Sequence, residues 1–229
     1  MDEDYKRYGM LEKISETALN NHDVLRCCIS MKNYNENLYD HSCNVAFLSL
    51  LLGESYYKNL DEILELFIAA LLHDYGKMYI ARSILDKPGP LTTDERKTIE
   101  MHSVMGYLHL KAQTNFSNNI LNGILDHHEK ADGSGYSKGK ISSDISNYAK
   151  IITLADVYDA MISDRVYRGR IQRDSVHEYI IKNAGTSFDK ELAKMFLNQV
   201  NEISNLAAAE MKFKIILAEL QRKKYLIVS

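Results

Sequence analysis

The sequence predicts an all-α bundle, and three observations carry that expectation. Apolar residues recur at helical spacing through most of the 229 residues. The two prolines, Pro88 and Pro90, sit in one short stretch, so most of the chain is free of helix breakers. Alternating β-branched runs of the kind that build strands are few.

Taken in order, helices are predicted over 5–20, 38–53, 60–75, 92–112, 117–127, 145–163, 173–184 and 188–203. The runs VAFLSLLL at 45–52 and LFIAALL at 66–72 make the second and third the buried ones, since both fall short of the ~18 apolar residues of a membrane span. The fourth opens on Leu91-Thr92-Thr93-Asp94-Glu95, where a threonine with an acidic residue three positions on has the form of a capping box. Two loops rich in breakers separate helices: Asp86-Lys87-Pro88-Gly89-Pro90, and Ala131-Asp132-Gly133-Ser134-Gly135-Tyr136-Ser137-Lys138-Gly139. The second is the better functional candidate, because its three glycines let backbone come close to a ligand. From about Asn205 to Ser229 the pattern suits a helix or a degenerate hairpin equally, and this segment is left unassigned.

A chain of this length buries a core without covalent staples. Its formal net charge of −3 gives no global attraction to nucleic acid or anionic lipid, so an anionic ligand has to meet a local basic patch. Neither a DNA or RNA polymer nor a membrane is an expected partner. Cys27, Cys28 and Cys43 form neither a disulfide ladder nor a CxxC knuckle, and the acidic, polar start MDEDYKRYGM lacks the form of a secretory signal. A cytoplasmic protein is expected.

The chemistry lies in His41, His73-Asp74, His102, His127-His128 and Asp156. His73 and Asp74 come at the end of an apolar helix, and Asp156 is set among Ile151, Ile152, Leu154, Ala155, Val157 and Met161. A carboxylate in such surroundings is costly unless it is paired or bound to metal. Imidazole and carboxylate donors without thiolate suit Mn, Fe, Zn or Ni better than Mg or Ca. Five histidines and two aspartates exceed the roughly four ligands of one tetrahedral ion, so two ions sharing a bridging carboxylate are the economical reading. Two ions about 3.5–4 Å apart grip a phosphoryl oxygen and acidify water, which is the equipment of a phosphoester hydrolase. A lone histidine is more often a satisfied or surface residue, and His22, His109 and His177 are read that way. Cys43 is read as a small buried residue rather than a thiolate ligand.

The order His41-Ser42, His73-Asp74 with Gly76-Lys77, His102, His127-His128 and Asp156 resembles the HD superfamily of metal-dependent phosphohydrolases. The stretches HDYGK (73–77), ILDKPGPLTTDE (84–95) with His102, HHEKADGSGYSKG (127–139) and DVYDAMISDRVYR (156–168) resemble its HD-GYP branch, and the likeness covers roughly 37–200. It implies an HD-type helical bundle with a binuclear site of two divalent transition-metal ions between helices, Fe or Mn first and Zn or Ni otherwise. The implied ligands are His41, His73, Asp74, His102, His127, His128 and Asp156, with Asp74 bridging. The implied activity is a phosphodiesterase that opens cyclic di-GMP to pGpG and often continues to GMP. The catalytic residues would be Asp74 and Lys77, with Lys77 on the scissile phosphate. Gly135 and Tyr136 would lie against substrate, and Arg165 and Arg168 would contact phosphate oxygens. Without the likeness, Lys77 reads as a helix C-terminal cation and the two arginines as a solvated helix end. Asp159 is expected to be a structural partner of Arg165 or Lys77.

The chain departs from the family pattern at three positions. Asn37 stands where some members carry a metal-binding glutamate, with Glu36 one position off, so two metals are expected rather than three. Ser137 replaces the signature proline, and Ala131 replaces an aromatic residue before DGSGY. Two other functions stay open: an HD hydrolase for another nucleotide, and a catalytically weak module that senses cyclic di-GMP or docks signalling proteins through the DGSGY loop. The expected layout is an N-terminal helical segment at 1–36, a catalytic domain at 37–203 and a C-terminal segment at 204–229. The N-terminal helices and the apolar tail around Ile215, Ile216 and Leu217 are expected to cap their own core, with a homodimer as the alternative.

Overall fold

The computed structural model describes residues 3–163, 172–203 and 206–228, and among these it is helical with only two isolated β-bridges. The helices are α1 (Glu3–Asn20), α2 (His22–Tyr34), α3 (Glu36–Tyr56), α4 (Leu60–Leu72), α5 (Arg82–Leu85), α6 (Thr93–Glu100), α7 (His102–Gln113), α8 (Asn118–Asp126), α9 (Asn147–Ile162), α10 (Arg173–Lys182), α11 (Lys190–Glu202) and α12 (Leu206–Val228). A 3-10 turn, Tyr75–Tyr79, follows α4.

The most apolar segments sit at the centre, as burial requires of helices that are hydrophobic nearly all round. Every residue of α3 from Ser42 to Gly53 is buried, and so is every residue of α4 from Leu66 to Leu72. α3 packs against α2, α4, α9, α11 and α12, while α4 also meets α1 and α8. A closed ring α3, α4, α8, α9 results, and all four members deliver side chains to one end of it.

Several helix ends are set by side chains the sequence displays. Thr92 and Glu95 form the capping box reciprocally, at 3.2 and 2.7 Å. Asn21, Asn35, Asn59, Ser117, Ser146 and Asp189 accept backbone N–H bonds at the starts of α2, α3, α4, α8, α9 and α11.

Four differences from the expected helices matter. α2 lies within the expected N-terminal helical segment but had no bounds assigned; its buried stripe Val24, Leu25, Cys27, Cys28 and Met31 has helical spacing but is built partly of cysteine and methionine, in a run broken by Asp23, Arg26 and Lys32. The helix expected over 92–112 is two helices, because the Met101 amide closes back onto Lys97 and Thr98 and turns the chain before His102. The unassigned C-terminal segment is a helix, and Leu206, Ala209, Phe213, Leu217 and Leu220 bury its stripe while the helix packs on α1 and α3. The helix expected over 60–75 stops at Leu72, where His73 turns the chain into the 3-10 segment.

That 3-10 segment lies directly on α7, and glycine makes the approach feasible. A Cβ on Gly76 would stand 1.8 Å from the His102 carbonyl oxygen and 2.5 Å from the Gly106 amide nitrogen. Gly106 in turn has its would-be Cβ 3.2 Å from the Gly76 nitrogen. Gly76→Ala is therefore expected to destabilise the fold by about 1–3 kcal/mol through forced separation of backbone from backbone. Gly9→Ala, on an exposed helical site with nothing near its would-be Cβ, should be neutral or stabilise by about 0.5–1 kcal/mol. Urea unfolding midpoints of the two variants decide the matter; equal midpoints would mean the Gly76 contact is not as tight as described.

Candidate metal centre

Five elements converge on the open end of the ring. α3 brings His41, the end of α4 brings His73 and Asp74, the first turn of α7 brings His102, the end of α8 brings His127 and His128, and α9 brings Asp156. His73, His102 and His127 share one local device. Each stands one or two residues past a helix end, those of α4, α6 and α8, and its ring Nδ1 lies 2.8, 2.7 and 2.7 Å from the carbonyl oxygen three residues back, on Ala70, Ile99 and Ile124. A carbonyl only accepts, so Nδ1 carries the proton and donates in all three. In each neutral ring Nε2 is then a bare lone pair facing inward.

Those lone pairs lack ordinary partners. His73 Nε2 is buried with none. His102 Nε2 and His127 Nε2 face one another at 3.2 Å, two acceptors whose repulsion is resolved by a cation or a proton between them. His102, His127 and His128 form one group of closely spaced donor atoms, and His41, His73 and Asp74 form another.

Asp74 lies between the groups and turns one oxygen to each. Its Oδ1 is 3.2 Å from His102 Nε2 yet has no hydrogen-bond partner, and its Oδ2 is 3.4 Å from His73 Nε2 and 3.7 Å from His41 Nε2. Lys77 reaches Asp74 Oδ2 at 2.5 Å from the solvent side. His41 Nε2 is 3.0 Å from Asp156 Oδ1, which brings Asp156 into the second group's surroundings. The residues present thus fit metal: oriented imidazole lone pairs, a central carboxylate with an orphaned buried oxygen, and a borderline-to-hard donor set.

The protonation states follow from burial and neighbours. Burial pushes the Asp74 carboxyl up, but Lys77 and His73 more than offset it and hold it well below the usual carboxylate range. Burial acts the same way on Asp156, and His41 outweighs it. Burial drives His127 far down and His128 down to about 3, so both are neutral and able to ligate at pH 7. For His41 burial again lowers the value, but the carboxylates of Asp156 and Asp159 overturn it and raise the ring to about 9.

Asp159 is where the site departs from expectation. Among the described residues it does not pair with Lys77: its Oδ2 is 2.6 Å from His41 Nδ1, and its Oδ1 accepts from Asn44 at 2.8 Å and Ser163 at 3.0 Å. Lys77 goes to Asp74 because the 3-10 turn sets the two three residues apart on one side. A second buried carboxylate one turn beyond Asp156 was legible; its partner, 118 residues away, was not. Thr153 was also missed, and it bonds the His127 carbonyl at 2.6 Å, fixing the end of α8 to α9.

Of the remaining expected residues, Tyr136 stacks at 4.6 Å and 30° on the His128 ring, at the edge of the site. Gly135 is at the same loop, but the space left by its missing side chain is filled by its own chain, with a would-be Cβ 2.4–2.5 Å from Lys130 N, Glu129 Cα and His128 O. Arg165 and Arg168 lie outside the described residues. Glu36 and Asn37 are exposed on the first turn of α3. His22 is exposed, His109 stacks on Tyr79 at 3.6 Å, and His177 adjoins the Tyr158 hydroxyl at 3.4 Å, all apart from the cluster. Cys43 is buried within α3. No helix among the described residues is long and apolar enough to cross a membrane.

Residues 27–192 match the HD domain family. A probable cyclic di-GMP phosphodiesterase of Vibrio cholerae is 38% identical over 148 residues, covering 62% of this chain and 34% of that protein. The cyclic di-GMP phosphodiesterase PdeB of Borreliella burgdorferi is 34% identical over 161 residues, covering 70% and 42%. The chain thus spans well under half the length of these relatives. Among solved structures, the HDG"Y"P protein Bd1817 of Bdellovibrio bacteriovorus shares the fold, with a TM-score of 0.62 at 18% identity over 86% of this chain and 63% of that one.

Because Asp159 fixes the His41 ring through Nδ1, its loss should leave Nε2 free to swing. Asp159→Ala is expected to weaken metal binding about 10–100-fold while the fold is kept. Equilibrium dialysis against Mn(II) with elemental analysis measures this; unchanged affinity would remove His41 from the ligand set.

Proposed function

This chain belongs to the HD domain family, and from that premise we propose that it is a cyclic di-GMP phosphodiesterase of the HD-GYP branch that yields pGpG and then GMP. The observation that carries the reading is Asp74, buried, with one oxygen toward each of two groups of inward imidazole nitrogens. We assign two divalent transition ions to those groups, Fe or Mn before Zn or Ni, with His41, His73, Asp74, His102, His127, His128 and Asp156 as ligands. Ions held there would supply Lewis acidity toward a phosphoryl oxygen and a water acidic enough to attack at neutral pH.

The chain's own groups do the rest. Opening the ring to pGpG adds water at one phosphorus and breaks its bond to a 3′ oxygen, so the phosphate stays on the 5′ side and negative charge builds on phosphoryl oxygens. Lys77, part-exposed beside Asp74, is the cation placed to meet that charge. Tyr136 offers an aromatic face at the site edge to the dinucleotide, and Gly135 admits the backbone that carries it. Arg165 and Arg168 complete the phosphate contacts in this reading. The catalytic unit is assigned to 37–203, flanked by segments at 1–36 and 204–229, and a cytoplasmic location follows the substrate.

The test is to load the purified protein with Mn(II) or Fe(II) under reducing conditions, add cyclic di-GMP and follow pGpG and GMP chromatographically. Turnover of a different cyclic dinucleotide with cyclic di-GMP untouched would move the substrate and keep the class. Binding of cyclic di-GMP without turnover by any loaded form would make the chain a sensing module instead. Asp74→Ala should abolish turnover and lower metal content. Lys77→Ala should slow turnover on the order of 10²-fold with metal retained, since it removes one charge-stabilising donor. Loss of metal from the lysine variant would show that its role lies in holding Asp74.

A further inference from the structure

The signature loop is strapped to the metal centre by a carboxylate that belongs to neither metal group. Glu129 directly follows His127-His128 and is only 2% exposed. Both its oxygens are taken by backbone: Oε1 accepts from the Lys138 N–H at 2.6 Å and Oε2 from the Lys140 N–H at 2.9 Å. A buried carboxylate is costly, and two charge-assisted bonds to otherwise unpaired loop amides offset that cost. Each oxygen thus takes one backbone N–H, and Glu129 is in neither group of closely spaced donor atoms.

These bonds close the loop over the peptide that bears the histidines. Gly133 and Gly139, at φ +80° and +65°, turn the chain out and back. Between them Gly135 lies on the 128–130 backbone, the Tyr136 N–H bonds the His128 carbonyl at 3.2 Å, and the Tyr136 ring settles on His128. A second strap runs from Lys140 Nζ to the buried Asp126 at 2.6 Å. His127 is held by other means, through Ile124 and Thr153. Cutting the Glu129 strap therefore frees Tyr136 and leaves the metal-binding end of α8 in place.

We propose that Glu129 is a positioning residue that sets Tyr136 over the metal centre, and thereby sets affinity for the cyclic dinucleotide without itself holding metal. The second half rests on the phosphodiesterase reading; the first does not. Glutamine is a poor substitute here despite its shape, because its NH2 would face one of the two N–H donors.

The experiment uses the full chain loaded with Mn(II). Glu129→Gln should raise KM for cyclic di-GMP about tenfold, as the loss of bonds to a charged acceptor implies, with metal content unchanged. In a Tyr136→Ala background the same change should add less than about twofold, since both act through one ring. A residue that merely supports the fold would raise KM equally in both backgrounds, and that result overturns the proposal, as does loss of metal. The chain contains no tryptophan, so Tyr136→Trp supplies a unique fluorophore. Adding Glu129→Gln to it should shift emission to the red and relieve quenching by the paramagnetic ion, while the Lys138 and Lys140 amides lose protection from hydrogen exchange. Unchanged emission and protection would refute the strap even if no substrate turns over. Absence of turnover in the parent protein with emission shifted would fail the phosphodiesterase reading alone. If the glutamine variant does not fold, Glu129→Asp, too short to reach both amides, should show the same shift at smaller size.

Discussion

The whole site depends on a hydrogen bond that looks incidental, from a histidine Nδ1–H to a carbonyl three residues behind it at the end of a helix. Made at His73, His102 and His127, it fixes the ring by its near side and leaves the far nitrogen bare and pointed into the bundle. A last-turn carbonyl needs a donor, and a metal ligand needs an orienting acceptor; one bond meets both needs. Where no helix end is available, as for His41 inside α3, a carboxylate takes over the orienting role, and it must be brought from α9. The histidines at chain turns are thus oriented locally, whereas the one inside a helix has to be oriented by tertiary structure.

Local orientation is useless unless the helix ends meet, and two kinds of feature bring them together. The central helices are apolar on nearly all sides, so α3 and α4 must be enclosed, and enclosure draws α8 and α9 around them. Closest approach is then set by missing side chains. Gly76 against Gly106 lets the turn after Asp74 rest on the start of α7, which is how Asp74 and His102 come within 3.2 Å. Gly123 does comparable service for α8, with a would-be Cβ 3.1 Å from that of Ala69 on α4. Packing this tight makes the site's geometry a property of the core rather than of its own side chains.

This division explains what could be read in the sequence. Buried helices were legible from VAFLSLLL and LFIAALL, and the capping box from Thr92 and Glu95, because those signals are local. The cluster of histidines and aspartates was legible because His73-Asp74 and His127-His128 each stand in apolar surroundings that demand a reason. What escaped was relational. Asp159 was visible as a second buried carboxylate, but nothing near it in the chain names His41. Glu129 drew no reading of its own, because its partners lie nine and eleven positions on in a loop whose closure the sequence does not display. The turn at Met101 was hidden because a helical pattern continues through it, and α2 because its stripe uses cysteine and methionine. Arg165 and Arg168 lie beyond what the described residues address.

The electrostatics reconcile an acidic protein with the anionic substrate proposed for it. Asp74, Asp156 and Asp159 bring negative charge to one end of the bundle, and with His127 and His128 neutral, Lys77 and a protonated His41 oppose it among the described residues. Left so, the site would repel a phosphodiester. The two dications proposed above would reverse the sign, since their charge would exceed that of the three carboxylates even before Lys77 is counted. On that proposal the carboxylates would serve to hold the ions, and the surplus positive charge would be confined to the place where a phosphate binds. A chain of net charge −3 would then owe its attraction for phosphate to the bound ions rather than to its global charge.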